Sequence, residues 1–169
     1  IGVKNLADVC KTLDIPLLHI STDYVFDGDK KEPYTESDTP NPTSVYGASK
    51  LAGEIALQKT WQKHIILRVS WVFGEYGNNF VKAMLRRAKD RDEIAVVNDQ
   101  FGAPTSAKAI AECLLDIVDN SAFKEQGFPW GLYHFQSDPG VTWYEFAKEI
   151  FNQAKENEIL DKEMIVNPI

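Results

Sequence analysis

An α/β fold built on a doubly wound, mostly parallel sheet is what this chain predicts. Apolar runs of strand length alternate with amphipathic runs of helical period along its 169 residues. One run, Ile65–Phe73, is almost continuously apolar, as an interior strand covered on both faces must be. In chain order, an opening helix extends to about Leu13, and Pro16-Leu17-Leu18-His19-Ile20 begins a strand over 16–21 that ends in the hydroxyls of Ser21 and Thr22. Residues 27–42 are polar and turn-rich, well beyond the usual ~4–6 residues of a loop, and loops of that length usually carry function. Helical patterns follow over 44–60, 78–90, 106–120 and 142–156, with strands expected over 65–73, 93–98 and 131–136. Asn98–Thr105 reads as a loop and Met164–Ile169 as a last strand. The chain starts inside a helical pattern and without methionine, so it reads as a piece of a longer protein.

With 44% hydrophobic and 11% aromatic residues, the chain can bury one sizeable core and is expected to be a single unit. A formal charge of −7 argues against nucleic acid or an anionic membrane as partner, since both would repel it. No apolar run approaches the ~20 residues of a membrane span. Cys10 and Cys113 each sit in a helical pattern, have no metal-ligand spacing and are expected as free thiols, which suits the cytoplasm. His19, His64 and His134 form no pair at ligand spacing, so no metal is expected. Lys82, Arg86, Arg87 and Lys89 read as a solvated helix face.

The chemistry concentrates at Tyr46-Gly47-Ala48-Ser49-Lys50. A phenol with an ordinary pKa near ~10 is a poor acid at neutral pH, and an ammonium one helical turn away makes it a better one. Spacing of four puts both groups on one helix face. The same spacing recurs at Tyr144 and Lys148, where Trp143, Phe146, Ala147, Ile150 and Phe151 form a stripe, so that pair reads as part of an ordinary amphipathic helix. Tyr46 differs because the preceding strand ends in hydroxyls, and open α/β sheets gather reactive groups at strand ends. The arrangement suits ketone reduction: hydride delivered to the carbon leaves charge on the oxygen, Tyr46 protonates it and Thr22 holds it.

The blocks Ser21–Gly28, Tyr34-Thr35-Glu36, Pro42–Glu54, Arg68–Gly74, Gly77–Phe80 and Asn98–Thr105 occur in order over residues 21–105. On these blocks the chain resembles the extended short-chain dehydrogenase/reductases, and within them the dTDP-4-dehydrorhamnose reductases. The resemblance implies part of a Rossmann-like sheet with its catalytic residues in 1–99, and part of a C-terminal substrate-binding region in 100–169. It implies Thr22, Tyr46 and Lys50 as catalytic residues, with Tyr46 and Lys50 also meeting an NADPH or NADH cofactor. Lys50 would bind the nicotinamide ribose hydroxyls, and Thr22, Asp23, Trp71 and Asn79 would line the site of a dTDP-sugar. A homodimer is the implied assembly.

Gly74-Glu75-Tyr76-Gly77-Asn78-Asn79-Phe80 imitates a dinucleotide fingerprint, but Phe80 stands where a third glycine would let helix and sheet approach. The Gly-rich turn that relatives carry near their amino terminus is not present before residue 21, so the chain by itself is expected to lack turnover. Two other readings share part of this pattern. One is an NAD-dependent nucleotide-sugar epimerase or dehydratase, and the other is a non-catalytic relative that regulates a methionine adenosyltransferase.

Overall fold

The computed structural model describes residues 1–120 and 127–169. Its residues divide into two compact units, one of 1–70 with 109–135 and the other of 71–108 with 136–169. In the first unit, strands β1 (Leu17–Thr22), β2 (His64–Val69) and β7 (Gly131–Phe135) form a parallel sheet in the order β1-β2-β7. All six residues of β2 are buried, so the apolar run does mark the interior strand.

Alternation along β2 sends its side chains to two different helix layers. On one face Ile66 packs with Ala7 of α1 (Gly2–Thr12) and Leu57 of α2 (Val45–Thr60). On the other, Leu67 and Val69 pack with Ile110 of α4 (Ala107–Asp119). Helices on both faces are the doubly wound arrangement that the sequence predicts, and they leave the carboxyl ends of the strands open for a site.

The run 65–73 is not one strand. Its apolar character persists, but the chain turns at Trp71, which has a left-handed φ of 41°, and resumes as β3 (Val72–Phe73). An L-residue with a bulky side chain avoids that region unless surrounding contacts hold it there.

In the second unit, β3 pairs with β6 (Thr105–Ser106), β4 (Glu93–Val96) with β9 (Ile165–Pro168), and β5 (Phe101–Gly102) with β8 (Val141–Thr142). The stretch expected as a loop at 98–105 therefore holds β5 and the start of β6. The core joins Met84 and Ala88 of α3 (Phe80–Asp90) to Ala147, Ile150 and Phe151 of α5 (Trp143–Glu156). Helix α5 starts with a capping box: Thr142 Oγ1 accepts from the Glu145 N–H at 3.1 Å, and Glu145 Oε2 accepts from the Thr142 N–H at 2.7 Å. Tyr144 and Lys148 lie along this helix with the Lys148 ammonium 5.4 Å from the tyrosine ring centroid, consistent with an amphipathic surface pair. Among the described residues no helix is long and apolar enough to cross a membrane.

Candidate active site at the strand ends

Strand β1 ends at Thr22, and residues Asp23–Val25 form a single 3-10 turn. The Thr22 hydroxyl caps that turn, accepting from the Tyr24 N–H at 3.2 Å and donating to Asp23 Oδ1 at 3.0 Å. Asp23 Oδ2 accepts from the Ser70 hydroxyl at 2.7 Å. One carboxylate thus braces the hydroxyl residues at the ends of two neighbouring strands. Burial pushes the Asp23 carboxyl above its ordinary value, while the hydrogen bonds from Ser70 and Thr22 oppose that push.

Helix α2 begins beside this turn. Ser44 Oγ accepts from the Gly47 N–H at 3.0 Å and caps the helix, and Tyr46 follows in its first turn with its ring exposed. Gly47 is needed for the approach: a Cβ there would lie 2.0 Å from the Tyr24 carbonyl oxygen. The absent side chain lets the helix start against the residue that the Thr22 cap fixes. Tyr46 meets Tyr24 edge to face, with ring centroids 6.0 Å apart. One turn later, the Lys50 ammonium donates to the Ile20 carbonyl at 2.7 Å. Thr22, Tyr46 and Lys50 are therefore all tied to the segment 20–24.

The long loop is ordered by its own acids. Asp27 accepts from the Tyr34 hydroxyl at 2.5 Å and from Asn41 Nδ2 at 3.0 Å. Asp38 accepts from Lys30 Nζ and the Thr35 N–H, each at 2.7 Å, and these bonds pull its carboxyl down to about 2. Farther along, Glu36 Oε1 accepts the His134 N–H at 2.8 Å, which ties the loop to β7.

Trp71 and Asn79 belong to the second unit. The Trp71 indole stacks on Trp143 with centroids 3.5 Å apart and planes 10° from parallel. A Cβ at Gly102 would fall 2.2 Å from that indole, so glycine is what lets β5 close on it. Asn79 caps α3, accepting from the Lys82 N–H at 3.2 Å and donating to the Gly74 carbonyl at 2.7 Å. Both of its amide functions thus hold the loop 74–79 to the helix.

Sequence reasoning noted Ser21 as a strand-end hydroxyl and gave no role to it or to Ser70, Glu54 and Arg68. Glu54 and Arg68 are buried, and Arg68 holds the Glu54 carboxylate through Nη2 at 2.7 Å and Nε at 3.1 Å. The available signal was spacing: Tyr46, Lys50 and Glu54 follow at four-residue steps on one helix face.

Comparison with known proteins identifies the family and the fold. The profile of the family described as "RmlD substrate binding domain" matches residues 1–169. A dTDP-4-dehydrorhamnose reductase of Aggregatibacter actinomycetemcomitans is 48% identical over 99% of this chain and 57% of its own length. Its counterpart in Escherichia coli K12 is 44% identical over 91% of the chain and 51% of its own length. The crystal structure of dTDP-4-dehydrorhamnose reductase from Bacillus anthracis in complex with NADP superposes with a TM-score of 0.87 at 39% identity, over 99% of this chain and 55% of that one. The chain thus spans about half the length of the relatives it matches. With the profile matched from end to end and the parallel sheet in place, this chain belongs to the RmlD substrate-binding-domain family.

Proposed function

We propose that the full-length protein reduces the 4-keto group of dTDP-4-dehydro-L-rhamnose to give dTDP-L-rhamnose, with Tyr46 as proton donor, Lys50 as cofactor anchor and Thr22 as the group that orients the ketone. The observation that carries this reading is the exposed Tyr46 phenol, seated by Gly47 against the turn capped by Thr22, with Lys50 on the same helix face. Relatives named for this reaction, 44–48% identical to the chain, support it.

A nicotinamide cofactor, NADPH or NADH, supplies the hydride when bound. The residues here fit such a group. Lys50 engages one acceptor among the described residues, the Ile20 carbonyl, which leaves two ammonium N–H donors for vicinal ribose hydroxyls. The site also lies at the carboxyl ends of parallel strands, where open α/β sheets take ligands.

Thr22 must redirect one hydrogen bond. Its hydroxyl hydrogen points to Asp23, and turning it to the ketone oxygen leaves Asp23 with the Ser70 hydroxyl as partner. Tyr46 then delivers its proton to the oxygen as negative charge develops there. Asp23 in the first unit, and Trp71 and Asn79 in the second, are the further substrate-binding residues of this proposal: an indole is a flat apolar face suited to a deoxysugar, and Asn79 fixes the loop after β3. A homodimer through α2, where Val45 and Ile55 stand exposed, and a cytoplasmic location belong to the same proposal.

The test is Tyr46→Phe in the full-length enzyme. Loss of the proton donor is expected to lower kcat by roughly 100- to 10,000-fold, with KM for the keto-sugar nearly unchanged. Turnover like that of the unaltered enzyme overturns the assignment.

A further inference from the structure

We propose that Glu54 is the positioning residue of this active site, clamping the reactive face of α2 to the strand ends through Ser21 and Arg68; the proposal rests on the reductase reading above. Ser21 and Arg68 are register partners across β1 and β2. Glu54 binds both: Oε1 accepts the Ser21 hydroxyl and the Arg68 Nε–H, and Oε2 accepts from Arg68 Nη2 at 2.7 Å. A single carboxylate therefore joins the helix to two adjacent strands at one level of the sheet.

That level matters because Thr22 is the next residue after Ser21. Tyr46, Lys50 and Glu54 occupy successive turns of α2, and each turn has its own tie to the segment 20–24. Gly47, next to Tyr46, abuts the Tyr24 carbonyl; Lys50 reaches the Ile20 carbonyl; Glu54 takes the Ser21 hydroxyl. The first two ties fix the helix start and one flexible side chain. The third is buried and directional, and the same carboxylate is also held at two points by Arg68 of β2, so it opposes a slide or rotation of α2 along the sheet.

Packing does not require this pair. A buried carboxylate and guanidinium are costly to dehydrate, and apolar residues of the same volume commonly serve stability as well or better, so we read the pair as specifying geometry. The apolar contact of α2 with the sheet is already made by Leu57 against Ile66. The Arg68 guanidinium, moreover, lies 5.0 Å from the Phe26 ring, so the clamp extends to the residue where the long loop begins.

The experiment uses full-length enzyme and two variants, Ser21→Ala and Glu54→Gln, with turnover expressed per bound NADPH as titrated by calorimetry. Misplacement of reacting groups on an ångström scale costs up to roughly 100-fold in rate. The expected result is a kcat per competent site lowered by about tenfold or more in Glu54→Gln and by about threefold or more in Ser21→Ala, with KM for keto-sugar and cofactor within about twofold. A merely structural role would lower the number of competent sites and leave turnover at each one intact. Should Glu54→Gln fail to fold, Ser21→Ala, which removes one hydroxyl, decides alone. A folded variant whose turnover per site equals that of the unaltered enzyme overturns the clamp, whereas absence of ketone reduction by the unaltered full-length enzyme overturns the reductase reading instead.

Discussion

His19 keeps a buried Nε2 that has no hydrogen-bond partner among the described residues, on the same strand that delivers Ser21 and Thr22. Burial first, and the nearby Lys50 ammonium second, hold its imidazole below the ordinary value of 6.5. The His134 imidazole is likewise held low, by burial and by Arg68, with Glu36 opposing. The unfolded chain therefore binds more protons than the folded one just below pH 6.5. The stability that neutral His19 and His134 contribute is complete above that value and is lost as pH falls from it towards their depressed values. Urea titrations at about pH 7.5 and about pH 5.5 check this, with His19→Leu expected to flatten the slope between them. The same variant removes an orphaned buried nitrogen, which costs about 1–3 kcal/mol when left unsatisfied, so stability at neutral pH is expected to be unchanged or higher. A slope equal to that of the unaltered protein refutes the contribution of His19.

At the scale of elements, the decisive contact is between the start of α2 and the 3-10 turn after β1. Beside the Tyr46–Tyr24 ring contact, its closest approach is one that no side chain makes. Gly47 is helical, where alanine would have the better propensity, yet any Cβ there meets the Tyr24 carbonyl oxygen at 2.0 Å. Gly47→Ala is expected to cost about 1–3 kcal/mol, as overpacking does. Since Tyr46 moves with the helix start, the full-length variant is also expected to lose roughly tenfold or more in kcat. Urea unfolding and steady-state kinetics measure the two effects. Normal turnover with a normal denaturation midpoint would show that the helix has room there.

At the scale of the whole chain, β1 is the edge of its sheet among the described residues. Leu6, Val9 and Leu13 of the first helix and its end, with Ile15 and Ile20 along the next segment, are each between 42% and 61% exposed. An open strand edge flanked by apolar side chains recruits further strands. The 169-residue chain in isolation is expected to self-associate, and Ile20→Lys to suppress that by placing a charge on the edge strand. Sedimentation velocity over a range of concentrations reads the outcome, and a strictly monomeric unaltered chain defeats the expectation.

Local order was legible in the residues themselves. The alternation of strand and helix, the interior position of Ile65–Val69 and the shared helix face of Tyr46 and Lys50 follow from near-neighbour periodicity, because backbone geometry fixes which side chains three or four positions apart must meet. Tertiary structure alone decided the rest. Trp71 interrupts the apolar run with a left-handed φ and stacks its indole on Trp143, and β9 completes β4, the partner coming from far along the chain in both cases. Glu54 gives no hint in its own surroundings that it will bind Ser21 and Arg68, since only the parallel pairing of β1 with β2 brings those two residues to one level. Periodicity encodes which way a side chain faces; which distant group it then meets depends on strand order and register, and those are set by the packing of the folded chain as a whole.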